Sequence, residues 1–353
     1  MQHLIKSKLV PADACNADKI RDRIRSIYRS LVEHTLPVLV VEASSKCNLT
    51  CAFCGMHSKS LSTTTNSEGR KRTLPKMHID LDLFRETIKK CQGMKKLKVL
   101  YMHGNGEPLL NPNIVKMVDI AKKADIAEQI ILVTNGVCLS KKMLRDLVEA
   151  GTTSIRVSLD IISPKIFREV KGADLAERVL ANLDACVDLI RAEHLPVTLA
   201  ILCANLESED EELAEETKKI SEYFDQKIKD QPNVVIQYRK LFNWVGSINR
   251  ISDGGKYSRP VPCEQPFYLL MVHCDGDVSM CCADTRKELI VGNIRQATSL
   301  RDILASDALR IKRKGLLDQC YKEIPACGYC EVYSVVDDSL LEEREELLRL
   351  LSI

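Results

Sequence analysis

Short apolar runs alternate with stretches of helical periodicity along most of this chain, and that alternation limits the folds open to it. Strand-like runs fall at residues 38–41, 98–103, 129–134, 154–159, 197–203 and 233–239, and apolar residues recur at helical spacing over 79–93, 112–124, 140–150, 175–193 and 206–229. Six β/α units of this kind demand crossover connections and a parallel sheet. Six strands curl into a partial (β/α)6 barrel of the TIM type rather than a closed eight-stranded one, with functional groups at the carboxyl ends of the strands. Residues 16–34 read as a basic amphipathic helix that caps the barrel, with Ile20, Ile24, Ile27, Tyr28 and Leu31 on one face. A loop at 62–75, rich in Thr, Ser, Lys and Arg, and a linker at 242–260 with Gly-Gly and Ser-Arg-Pro interrupt the pattern. Past the linker the alternation stops and cysteines crowd, so a small cysteine-rich α+β domain is expected there. The expected divisions are 1–36 for the capping helix, 37–240 for the barrel, 241–262 for the linker and 263–353 for the last domain with its terminal helix.

Composition narrows the function. With 45% hydrophobic and 28% charged residues in 353, the chain is globular, and a net charge of +2 gives no general reason to expect nucleic acid or an acidic membrane as partner. No apolar stretch approaches the ~20 residues of a membrane helix, and residues 1–10 lack the apolar core of a signal peptide. A cytoplasmic location is expected. Fifteen cysteines in such a chain point to metal or cluster ligands rather than disulfides. Cys15, Cys91, Cys138, Cys186 and Cys203 stand alone in apolar or helical settings and read as inert packed thiols.

The chemistry begins at Cys47-Asn48-Leu49-Thr50-Cys51-Ala52-Phe53-Cys54, which follows the first strand. Three thiolates on one loop can each take an iron of a [4Fe-4S] cube and leave the fourth iron without a protein ligand. A zinc loop lacking its fourth ligand fits the same spacing. Further motifs fall at strand ends: His103-Gly104-Asn105-Gly106-Glu107-Pro108, Thr134-Asn135-Gly136, Arg156-Val157-Ser158-Leu159-Asp160, Val170-Lys171-Gly172 and Asn205. Each alone is an ordinary turn or a strand with a polar end. In this order they resemble the radical S-adenosylmethionine (SAM) superfamily. The resemblance implies that the open iron is chelated by SAM, that one electron splits SAM to methionine and a 5′-deoxyadenosyl radical, and that the radical takes a hydrogen from substrate. It places Gly104, Gly106 and Glu107 at the SAM ammonium, and Asn135, Ser158 and Asp160 elsewhere on SAM.

The last third carries Cys263, Cys281, Cys327 and Cys330, with Asp275-Gly276-Asp277 between the first two as a hairpin turn. Four thiolates saturate one cluster, and a zinc ribbon would use a similar spacing. The pattern resembles the SPASM/twitch extension of radical SAM enzymes. No cysteine follows Cys330, so the set looks like the shortened twitch form with one auxiliary [4Fe-4S] cluster. Cys274, Cys282 and Cys320 stay open as alternative ligands, Cys320 above all.

Tyr238 and Arg239, at the end of the sixth strand, are the candidate catalytic contacts, with Gln237 and Trp244 beside them. A core ring and a salt bridge are the plainer readings of that pair. The one-cluster extension resembles aminocyclitol dehydrogenases, which implies two-electron oxidation of an alcohol carbon in a sugar- or cyclitol-like substrate, and an electron donor such as flavodoxin or ferredoxin. Two rivals stand beside it. One is peptide modification, against which no segment before Cys47 is large enough to bind a leader; the other is a non-catalytic iron-sulfur or zinc scaffold. The substrate expected is a small molecule or short peptide, with no nucleic acid and no membrane involved.

Overall fold

A computed structural model describes residues 17–58, 76–205, 211–240, 262–321, 324–328, 330 and 335–352. The expected loop at 62–75, the linker at 242–260, Cys15 and Trp244 lie outside the described residues. Six strands, β1 (Val38–Val41), β2 (Leu97–Met102), β3 (Ala127–Thr134), β4 (Ser154–Ser158), β5 (Thr198–Asn205) and β6 (Val234–Lys240), pair in parallel with their sequence neighbours. Helices Leu81–Cys91, Ile114–Lys123, Lys141–Ala150, Ala176–Glu193 and Glu211–Ile228 connect them. Apolar residues of both layers, among them Leu39, Leu100, Leu132, Ile155 and Leu183, form one continuous core. Side-chain caps start two of these helices, Asp80 accepting from the Leu83 N–H at 2.7 Å and Ser140 from the Met143 N–H at 3.1 Å.

An additional helix, Pro164–Lys171, intervenes between β4 and the helix that follows. It is too short for its period to register, and its Pro sits in the first turn, where a missing N–H costs nothing. The stretch 301–317, which reads as one amphipathic helix, forms two, Leu300–Leu304 and Asp307–Leu317. Ser306 breaks it by capping the second piece through the Leu309 N–H.

The cysteine-rich segment extends the same sheet. Strand β7 (Leu269–Val272) pairs in parallel with β1, Val38 against Leu269, and β8 (Asp277–Ser279) and β9 (Ile290–Asn293) follow antiparallel, giving the order β6-β5-β4-β3-β2-β1-β7-β8-β9. The turn between β7 and β8 holds Gly276 at φ +93°, a conformation that suits a residue without a Cβ. Lys287 bridges the two acids of that turn, Asp275 and Asp277.

At the amino ends of the strands a second, smaller core forms. Ile27 of the helix Ala17–Val32 packs there with Phe267, Leu317, Leu340, Leu347 and Leu351, the last three from the terminal helices Val335–Glu342 and Arg344–Leu350 and the residue after them. Tyr28 and Glu343 share a hydrogen bond across this contact. Phe267 is fully buried at the junction, so Phe267→Ala should cost about 3–5 kcal/mol, read as a lowered urea midpoint of the anaerobic protein.

Candidate active site

A cavity of about 830 Å³ runs along the inside of the sheet, from the carboxyl ends of the strands down to Pro37, Lys98 and Tyr268 at their amino ends. Cys47, Cys51 and Cys54 all line it. Their loop has little regular structure of its own, and neighbours hold its backbone. The N–H groups of Thr50 and Ala52 donate to the carbonyls of Lys171 and Val170 at 3.1 and 2.7 Å, and the Glu107 N–H donates to the Lys46 carbonyl at 2.8 Å. The Cys54 sulfur accepts from the N–H groups of Met56 and His57 at 3.4 and 3.3 Å. Burial pushes the Cys47 thiol up to about 12, with Glu107 and the other two thiols adding to it; burial likewise raises Cys51, against the opposing charge of Lys171. A crowded, desolvated set of thiols of this kind takes its thiolate form when a metal cation supplies the missing charge. Among the described residues no three His, Cys, Asp or Glu side chains converge as ligands of a single ion would. A cube makes no such demand, because each thiolate meets a different iron.

The glycine-rich turn after β2 is packed against this loop. A Cβ on Gly106 would stand 2.4 Å from the Lys46 carbonyl oxygen, and one on Gly104 would stand 2.7 Å from the side chain of Glu42. Glu107 is buried and accepts from the Thr134 hydroxyl and the Asn135 N–H, both at 2.7 Å, and from the Leu109 N–H at 3.0 Å. Burial still leaves its pKa raised, although those donors oppose the shift. Asn135 donates through Nδ2 to Asn48 at 2.7 Å. Asn105 is 8% exposed and lines the cavity, yet neither atom of its amide has a hydrogen-bond partner among the described residues. An orphaned amide beside a glycine cradle and a buried carboxylate fits a small ligand with a polar amino-acid end, which is what SAM presents.

Ser158 and Asp160 line the opposite wall, at the end of β4. Asp160 adopts φ +61° and forms an ion pair with Lys171, the two being 1% and 2% exposed. Lys171 also lies over the Phe53 ring, 5.1 Å from its centroid, and Gly172 at φ +76° fits against Thr50, where a Cβ would meet the hydroxyl at 2.1 Å.

The sequence gives no warning of Glu42. It follows β1, is buried, and accepts the N–H groups of Asn105 and Cys274 at 3.1 and 3.0 Å, while His273 Nδ1 lies 3.6 Å away. Burial would raise its carboxyl, but His273 and the two amides outweigh that and hold the pKa at about 2. An acid after an apolar strand looks like any loop residue until β7 arrives beside it.

In the last third, Cys281 has its pKa raised by burial and then by the neighbouring thiols of Cys282, Cys330, Cys263 and Cys327. Cys263, Cys281, Cys327 and Cys330 thus share one neighbourhood, and Cys282, one of the alternative ligands, belongs to it as well. Cys274 is apart from it in bonding, its Sγ donating to the Glu42 carbonyl at 3.2 Å, and Cys320 is exposed. Cys282 lines the cavity. Cys91, Cys186 and Cys203 are buried, as lone thiols should be.

The expected role of Tyr238 needs correction. It does not line the cavity, and its hydroxyl is bonded to Ser221 on the helix Glu211–Ile228, because strand alternation turns it to the helix layer. The side chains of Arg239 and Asn205 lie outside the described residues. Arg156, which the β4 motif contains without a role of its own, and Tyr101 both line the cavity. Both sit two residues before a motif position on their strands, and that is the signal that marks them.

A family model described as the radical SAM superfamily matches residues 41–217, half of the chain. This chain belongs to the radical SAM superfamily. A second model, described as an iron-sulfur cluster-binding domain (SPASM), matches residues 263–331. The radical SAM region is 28% identical over 159 residues to a GTP 3′,8-cyclase of Clostridium perfringens (strain SM101 / Type A), which is 42% of each chain. It is 32% identical over 124 residues to a tungsten-containing aldehyde ferredoxin oxidoreductase cofactor-modifying protein of Pyrococcus furiosus, 35% of this chain and 31% of the other. The matches therefore span less than half the length of these relatives. In fold, this radical SAM protein is similar to BtrN in complex with AdoMet and 2-DOIA, with a TM-score of 0.55 and 20% identity over 85% of this chain and 95% of that one. It is also similar to Streptococcus suis SuiB bound to S-adenosylmethionine, at TM-score 0.53 and 14% identity over 92% and 78%. Among the described residues no helix is long and apolar enough to cross a membrane.

Glu42 yields a pH prediction. Its folded pKa lies below the ordinary 4.5, so its stabilisation is complete above that value and is lost as pH falls toward 2. Urea unfolding of the metal-free chain across this window should show wild type losing roughly 3 kcal/mol more than Glu42→Gln.

Proposed function

We propose that this chain is a radical SAM oxidoreductase that oxidises an alcohol carbon of a sugar- or cyclitol-like molecule, using Cys47, Cys51 and Cys54 for the SAM-binding cluster and Cys263, Cys281, Cys327 and Cys330 for an auxiliary one. The observation that carries the reading is that both thiol groups reach one cavity, Cys282 lining it together with Cys47, Cys51 and Cys54. Cys282 faces the cavity, while Cys281, one residue earlier, sits among the other auxiliary thiols. When bound, SAM and the two clusters would supply the hydrogen-abstracting 5′-deoxyadenosyl radical and an acceptor for the second electron.

The chain's own residues then bind and orient. Gly104 and Gly106 let the turn pack against Glu42 and the cysteine loop and so set it beside SAM, Asn105 and Glu107 meet the polar end of SAM, and Asn135, Ser158 and Asp160 flank the rest. Oxidation of a carbinol removes a hydrogen atom, a proton and an electron, so the hydroxyl needs a proton acceptor. His103, at the end of β2 and edge-on to Tyr101 with ring centroids 5.4 Å apart, lines the cavity where that acceptor belongs. A flavodoxin or ferredoxin would deliver the first electron. The likeness in fold to BtrN, solved with AdoMet and 2-DOIA, supports a small-molecule substrate. The rival reading, peptide modification, draws on the likeness to SuiB, whose structure bound to precursor peptide SuiA has TM-score 0.50 at 14% identity.

Anaerobic reconstitution should load roughly eight irons per chain, and dithionite with SAM should release 5′-deoxyadenosine. Cys47→Ala should release none. Cys327→Ala should keep the first cluster and stop net oxidation. Unchanged ketone formation in that variant, or about four irons plus zinc in the wild type, would overturn the auxiliary cluster's role.

A further inference from the structure

We propose that Arg156 receives an anionic group of the substrate, so that the polyol oxidised in this cavity carries a carboxylate or a phosphate and not an amine. The inference rests on the reading of the cavity as the substrate site and adds the charge class of what enters it.

Arg156 belongs to β4, in register with Val133 of β3 and Ala200 of β5. It shares a strand face with Ser158, and both line the cavity. Two residues of strand separate them, so Arg156 lies about 7 Å deeper, a layer beneath the residues assigned to SAM. Its guanidinium lies over the ring of Tyr101, 5.4 Å from the centroid. Tyr101 in turn lies one inward step beneath His103 on β2.

Arg156 is half-buried, and among the described residues no carboxylate forms an ion pair with it. The acids that line the cavity are engaged elsewhere: Glu107 with Thr134, Asn135 and Leu109, Asp160 with Lys171, and Asp22 with Arg25. The residues in register with Arg156 on the flanking strands, Val133 and Ala200, are apolar and offer it no counter-charge. A guanidinium confined in such a place loses hydration without gaining a counter-ion, an arrangement that favours an incoming anion. The cation–π contact with Tyr101 steadies the group, and a guanidinium fork can grip two oxygens at once. An ammonium on the substrate would meet repulsion from the same charge, reinforced by Lys98, which also lines the cavity.

The test uses one sugar scaffold with four charges. Glucose 6-phosphate, glucuronate, glucosamine and glucose are titrated into the anaerobic, cluster-loaded enzyme with SAM present and no reductant, and binding is read by calorimetry. At least one of the two anions should bind tenfold to about a hundredfold more tightly than glucose, and which of them does so tells phosphate from carboxylate. Arg156→Gln should bring that anion to within about twofold of glucose while glucose itself binds as before. Arg156→Lys, which keeps the charge and loses the fork, should retain part of the preference. Equal binding of anions and glucose, tighter binding of glucosamine, no binding of either anion, or a preference that survives Arg156→Gln would each overturn the proposal. Release of 5′-deoxyadenosine by the wild type with dithionite is followed separately. Its absence would sink the radical SAM reading alone and leave the anion preference to stand or fall on the titrations.

Discussion

The cysteine loop makes few hydrogen bonds of its own, most of them at Cys54, and the site exists because two neighbouring segments complete it. Backbone from the end of the helix Pro164–Lys171 supplies carbonyls to Thr50 and Ala52, and the turn after β2 supplies an N–H to Lys46. These contacts are close enough that neither Gly106 nor Gly172 leaves room for a methyl group. A loop held in this way brings three thiols to one cavity without help from regular structure, and its position follows that of the strands. The Asp160–Lys171 pair adds beside it a buried ion pair, neutral overall, whose local field water screens little.

Much of this was legible in the chain. The six parallel strands follow from short apolar runs and five of their helices from a period of 3.6, and the cysteines of both groups announce themselves by spacing. What escaped has physical reasons. A helix as short as Pro164–Lys171 shows too little of its period. The inward or outward sense of Tyr238 depends on the register of β6, and a shift of one residue reverses every side chain. Glu42 acquires its meaning only from β7, a partner remote in sequence, whose pairing with β1 no local pattern encodes. Arg156 was hidden in plain view within a strand that was read for its terminal Ser and Asp.

Electrostatically the cavity is divided into layers. Near the cysteine loop, carboxylates are buried and satisfied by backbone amides, by a hydroxyl or by Lys171. Deeper, Arg156 lies on an aromatic ring with apolar neighbours. Glu42 lies behind the upper layer and ties together the end of β1, the glycine-rich turn and the start of the cysteine-rich segment. Loss of that carboxylate would loosen both thiol-bearing regions at once, although it is itself not a ligand of either.

The pairing of β7 with β1 bears on how the molecule is made. During synthesis β1 emerges early and can recruit β2 on one side, but its other edge stays bare until β7 leaves the ribosome. Ile27 waits longer still, for Leu340 and Leu347 near the end of the chain. The edge of β1 therefore stays open while the five following β/α units are made, and it is covered only when β7 has been synthesised.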